Sequence, residues 1–259
     1  MQVTFADCYR ELVLGGGTGA KNAYEQWKTR PGYSAVVEFV ESFTHERLFG
    51  IAPDQVRRVC DETEHALGEV QKERQIREIN DFTCPFALQH LFHRFIERTG
   101  EIPTWQRFWR WMTHQARPHW LDEIKPLRNQ LMARNYSEQR ISEAIRWRLG
   151  NFYYSALREV DLLVALQARG VKVKYHLLAD VLLRVDCWTG RTLVRTYVPN
   201  IEYRAAAEGR KIPAVQFFSP NDTPFNIVDF PVEREGFGRV WLVSERSIAK
   251  LAERLSAAQ

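Results

Sequence analysis

Residues 171–198, VKVKYHLLADVLLRVDCWTGRTLVRTYV, decide the fold class of this chain. Val171, Val173 and Tyr175 alternate with Lys172, Lys174 and His176, the period-two pattern of a half-buried strand. VLLRVDCW (181–188) is more continuously apolar and reads as a second strand with Asp186 near its end. Thr189-Gly190-Arg191 is a turn, which makes TLVRTYV (192–198) the hairpin partner, closed by Pro199-Asn200. Upstream, NFYYSALREVDLLVALQAR (151–169) predicts a helix with Phe152, Leu157, Val160 and Leu163 turned inward and Gly170 as its stop. Downstream, EYRAAAEGRK (202–211) reads as a short helix. VQFF (215–218), FNIVDFPV (225–232) and RVWLV (239–243) read as strands, and Ser244 caps a final helix, ERSIAKLAERL.

Everything before residue 150 reads as mainly helical. Pro53 opens a helical span over 53–80. PFALQHLFHRFIER (85–98) has a broad apolar face, and Thr104 caps WQRFWRWMTHQ. His90 and His93 share a helix face but have no third ligand at short range, so metal binding there is not expected. Near the start, Gly15, Gly17 and Ala20 fit a loosened GxGxxA, followed by a strand-like SAVVEFV (34–40) carrying Glu38. That pattern is either a dinucleotide loop or a glycine turn before a helix.

Residues 122–150 read as helix, break at Asn135-Tyr136, and a second helix from Ser137 to Gly150, resembling a helix-turn-helix. Arg107, Arg110, Arg140, Arg146 and Arg148 are the candidate nucleic-acid contacts. The tryptophans among them, at helical spacing, read as core. Two units are expected, 1–150 and 151–259.

At 45% hydrophobic and 26% charged, the 259 residues have an ordinary globular composition. No run of eighteen apolar residues is present, and MQVTFADCYRELVL lacks the features of a signal peptide. The four cysteines are scattered with no CxxC. A cytoplasmic protein is expected, with no membrane partner. The net charge of +4 permits nucleic-acid binding without demanding it.

The order helix, strand meander, short helix, strand and final helix resembles the restriction-endonuclease-like, or PD-(D/E)XK, nuclease core. The resemblance covers 151–258 and implies an α+β protein: a helical N-terminal half and a C-terminal mixed sheet flanked by helices. It implies Asp186, or alternatively Asp180, as acidic metal ligand, Glu159 as the helix glutamate, and Mg2+ as the metal. The acid–x–lysine triplet due on the next strand is missing from Leu193-Val194-Arg195-Thr196-Tyr197-Val198, and Arg195 stays protonated and cannot act as a base.

The expected function is therefore a nucleic-acid-associated protein with a degenerate nuclease-like core. It would be an accessory subunit of a prokaryotic DNA-processing or antiviral defence assembly, with protein partners. The alternatives are an active metal-dependent endonuclease using Asp186, an interaction module without nucleic acid, and a nucleotide-binding protein using the glycine loop.

Overall fold

A computed structural model describes residues 3–199, 214–218, 223–238 and 240–257. It is a mixed α+β fold, helical at the N-terminal end with a small mixed sheet at the C-terminal end. The helices of two turns or more are α1 (Gly17–Lys28), α2 (Ser34–Ser42), α3 (Pro53–Glu62), α4 (Leu88–Thr99) and α5 (Trp105–Thr113). They continue with α6 (Lys125–Ala133), α7 (Glu138–Ala168) and α8 (Glu245–Ser256).

The centre of the molecule is α7. Ser137 caps it by accepting from the Arg140 amide, and it then runs 31 residues without interruption. Ile141, Leu149, Tyr153, Leu157, Val160 and Leu163 are all buried along it. The sequence reading ends a helix at Gly150, and the structure overturns that. Gly150 has helical neighbours on both sides because it is a contact point, not a stop. A Cβ there would sit 2.8 Å from Leu67 Cδ2 and 3.1 Å from the Ala66 carbonyl carbon. Gly→Ala normally stabilises a helix interior by about 1 kcal/mol. Here Gly150→Ala is expected to destabilise by about 1–3 kcal/mol through overpacking, measurable as a lower denaturant midpoint with an unchanged slope.

The helix-break-helix at 122–150 is thus α6 followed by the start of α7, with Asn135 left-handed (φ 63°) at the break. The span 53–80 is helical only to Glu62. Beyond it the chain forms turns, with a 3-10 turn at Lys72–Arg74 and an α-helical turn at Arg77–Asn80, and packs on α7.

The first glycine cluster does not open a strand–helix–strand unit. It follows a π-helical stretch, Tyr9–Leu14, and SAVVEFV is α2 rather than a strand. Val36, Val37 and Val40 bury one helix face there, and tertiary burial outweighs the β-propensity of valine. The glycines admit a neighbouring segment. A Cβ at Gly16 would meet Phe218 Cε1 at 2.8 Å, and one at Gly19 would meet the Phe217 carbonyl oxygen at 2.7 Å. The space a pyrophosphate would need holds the chain's own 214–218 segment.

In 171–198, Val171, Val173 and Tyr175 are buried as their alternation demands. The pairing is one antiparallel bridge, Lys174 with Trp188. Residues Leu178–Leu182 then form a π-helical turn instead of a strand. A continuous apolar run does not distinguish the two conformations. Arg184 is left-handed (φ 61°) and redirects the chain into the sheet. β1 (Cys187–Thr189) and β2 (Thr192–Tyr197) form the expected hairpin, with Gly190 at φ 51°. β3 (Asn226–Pro231) pairs in parallel with β2, from Thr192↔Asn226 to Tyr197↔Pro231. β4 (Arg234–Phe237), which the sequence did not signal, forms a separate two-stranded sheet with β5 (Val240–Val243). VQFF is a 3-10 turn at Ala214–Gln216, and the helix expected over 202–211 lies outside the described residues.

One buried cluster extends from Val3 to Leu255. Glu11 ties the N-terminal segment to the 171–198 region, accepting from Lys174 Nζ at 2.5 Å and from Trp188 Nε1 at 2.8 Å.

Candidate acidic pocket

α7 crosses the open end of the hairpin, and there the fold gathers three carboxylates. Glu159 comes from α7, Asp180 from the π-helical turn and Asp186 from the residue before β1. They line one cavity of about 190 Å3 with Ser155, Arg158 and Thr196. All three acids named from the sequence are thus neighbours, although 27 positions separate the first from the last.

The surroundings of each acid limit its chemistry. Asp186 Oδ2 accepts from the Thr196 amide at 2.6 Å and the Thr196 hydroxyl at 2.7 Å. Those bonds lock the carboxylate onto β2. Asp180, only 6% exposed, accepts from the Tyr175 hydroxyl at 3.1 Å. Tyr175 has its single proton on Asp180, so its oxygen accepts from His93 Nε2, 2.9 Å away. Burial, then the charges of Asp180 and Glu159, hold the Tyr175 hydroxyl well above its ordinary pKa, so it remains a donor.

Behind Tyr175 lies a dry histidine wall. His45 stacks edge-on against His93, Tyr175 and His176. Burial pushes His90 and His93 down to about 3 and His176 to about 4, so these rings are neutral. His90 Nδ1 accepts the Ala87 amide and braces the start of α4. The pair His90 and His93 is core.

Magnesium demands near-octahedral oxygen ligands at about 2.0–2.1 Å. Among the described residues no group of three or more His, Cys, Asp or Glu is close enough to hold a metal. Oδ2 of Asp186 is already doubly hydrogen-bonded, and Asp180 is bonded to Tyr175. The donor set does not fit Mg2+ as arranged. Arg195, on the strand due to carry the lysine, pairs at 3.1 Å with Asp229, its register partner on β3.

The candidate nucleic-acid arginines separate into two groups. Arg140 donates to the Glu73 carbonyl at 2.9 Å, and Arg146 to those of Ala66 (3.1 Å) and His65 (3.4 Å). Arg148 donates to the carbonyls of Ile79 and Phe82 and lies over the Phe82 and Trp120 rings. These three fasten the irregular 65–82 segment to α7, so their guanidiniums are engaged within the fold. Arg107 pairs with Glu101 at 2.5 Å on the surface, and Arg110 is exposed. Of the apolar stripe expected to be core, Trp105, Phe108 and Met112 are buried and Trp109 is half-buried; Trp111 and Trp120 are buried as well.

The sequence reading missed Tyr175, taken as a plain inward strand position, and Thr196, whose spacing of ten from Asp186 across a two-residue turn was the available signal. No described helix is long and apolar enough to cross a membrane. Comparison with family models, curated proteins and solved structures finds no match.

Proposed function

We propose that this chain is a nucleic-acid-associated protein built on a degenerate restriction-endonuclease-like core, acting as an accessory subunit of a prokaryotic DNA-processing or defence assembly. The observation that carries the reading is the convergence of Glu159, Asp180 and Asp186 in one pocket at the end of the β1–β2 hairpin. The order of elements supports the core: a long helix, a bridged segment at Lys174, an antiparallel hairpin, a parallel strand and a final helix. Degeneracy is supported by the bonds that occupy Asp186, Asp180 and Arg195. The expected result is binding of labelled DNA at low salt, weakening steeply as salt rises, with no magnesium-dependent cleavage. Absence of affinity for DNA and RNA at low salt sinks the reading.

The active-nuclease reading draws on the same convergence, since three carboxylates in about 190 Å3 are a rearrangement away from a cation site. Under it, wild-type protein nicks supercoiled plasmid in magnesium and Asp186→Ala abolishes nicking while the circular dichroism spectrum is unchanged. Equal nicking by both proteins removes Asp186 from the chemistry.

A further inference from the structure

Beside the acidic pocket lies a more open depression of about 370 Å3, walled by Val198, Pro199, Val232, Glu233, Arg234 and Trp241. Val198 and Val232 line both cavities, so the two are adjacent. Trp241 is 58% exposed, an unusual state for the largest apolar side chain. Its cross-strand partner on β4 is Gly236, and a Cβ there would lie 3.8 Å from the six-membered ring of the indole. One part of the ring is thus held against the hairpin and much of the rest is open. Tyr197, at the end of β2, is 37% exposed and lines the acidic pocket.

The charges beside the indole are cationic. Arg158 donates to the Trp241 carbonyl at 3.4 Å and to Ser155 Oγ at 2.8 Å. Arg234 is close enough for its charge to act on Arg158. Neither guanidinium forms an ion pair among the described residues. Glu233 is the one carboxylate on this wall among the described residues. Arg234 on this wall, with Arg158 at the border of the acidic pocket, and an exposed aromatic face complement an anionic ligand with a planar ring. The three acids next door, which share their pocket with Arg158, repel a phosphate, so the anionic part belongs at Arg234.

We infer that this depression holds one unpaired nucleotide of single-stranded nucleic acid, its base stacked on Trp241 and its phosphate held by Arg234. The inference rests on the nucleic-acid reading above and adds the state of the strand. Inside a duplex both faces of a base are covered by its neighbours, so an indole fixed on a hairpin reaches only an unstacked base.

The test uses the full chain and a fluorescein-labelled oligo-dT of about a dozen nucleotides, long enough for one such site, read by anisotropy at low salt beside a hairpin duplex. Wild type is expected to prefer oligo-dT. Trp241→Ala should weaken that binding about ten-fold or more, while Trp241→Phe keeps most of it. Arg234→Ala should reduce the slope of log affinity against log salt by about 0.7. Trp241 is largely exposed, so its variants are expected to fold, checked by circular dichroism. Undiminished oligo-dT binding by Trp241→Ala, or preference for the duplex, overturns the stacking site and leaves the nucleic-acid reading standing. Failure of wild type to bind either form overturns both.

Discussion

Asp161→Asn is expected to remove a loss of stability that the wild-type protein suffers as pH rises from about 4 to about 7, the interval between the unfolded and folded carboxyl pKa values. Asp161 lies on α7, 5% exposed, in a cavity of about 180 Å3 shared with Arg57, Arg169, Phe237 and Ile248. Burial pushes its carboxyl from 3.8 up to about 7, against the opposing pull of Arg57 and Arg169. Between those values the folded protein binds one proton more than the unfolded chain. Stability therefore falls with each unit of rising pH, by about 1.4 kcal/mol per unit at most, and the loss is complete above the folded pKa. The full interval corresponds to about 4 kcal/mol, an upper bound that relaxation and the two arginines reduce. Asparagine keeps the shape and has no proton to lose. Guanidinium unfolding of both proteins from pH 4 to pH 8 should give curves that separate as pH rises, the variant becoming the more stable. Parallel curves would refute the buried-carboxylate account.

Arg148→Met should cost about 3–5 kcal/mol, where the nucleic-acid expectation for this residue gives almost nothing in stability. The guanidinium serves two carbonyls, Ile79 and Phe82, and packs over Phe82 and Trp120. Burial lowers its pKa to about 10, so it remains charged at neutral pH. Hydrogen bonds to a charged partner contribute about 1.5–3 kcal/mol each, and removing the donor leaves part-buried acceptors unsatisfied. Methionine retains the apolar stem and so isolates the loss of the donor fork. Arg148→Lys should recover only part, because one ammonium does not reproduce two divergent N–H groups. The contrasting control is Arg107→Ala. Its ion pair with Glu101 is solvent-exposed and contributes about 0–1 kcal/mol. Urea midpoints for the three variants decide the matter. An Arg148→Met protein within about 1 kcal/mol of wild type would return Arg148 to the surface role its sequence suggests.

Those two residues show where reading the sequence stops. Asp161 stands in REVDLLVAL as one acid in a buried run, and nothing local says that it faces a cavity closed by α3, α8 and the β4–β5 sheet. Arg148 stands in IRWRLG with its neighbours Arg146 and Arg140, a spacing equally suited to a phosphate-reading face. Both side chains are committed by the 53–82 segment and by the β4–β5 hairpin, elements distant in sequence.

By itself the sequence determined what short-range chemistry controls. Gly190 in a two-residue turn set the β1–β2 hairpin, alternation set the inward residues of 171–175, and Ser137 and Ser244 set the starts of α7 and α8, whereas the Thr104 hydroxyl at the start of α5 makes no capping bond. Glu159, Asp180 and Asp186 came instead from the resemblance of the element order after residue 150 to a nuclease core. Tertiary structure alone decided the rest. Valines in 34–40 became helical because one face was buried, and Gly150 stayed inside α7 because Leu67 and Ala66 needed the room. Thr196 and Tyr175 took up the hydrogen-bonding capacity of two aspartates that the sequence offered to a metal. A local pattern fixes backbone conformation through sterics and capping, over a few residues. Which partner a polar side chain meets depends on chain segments tens of residues away, brought together only when the core closes.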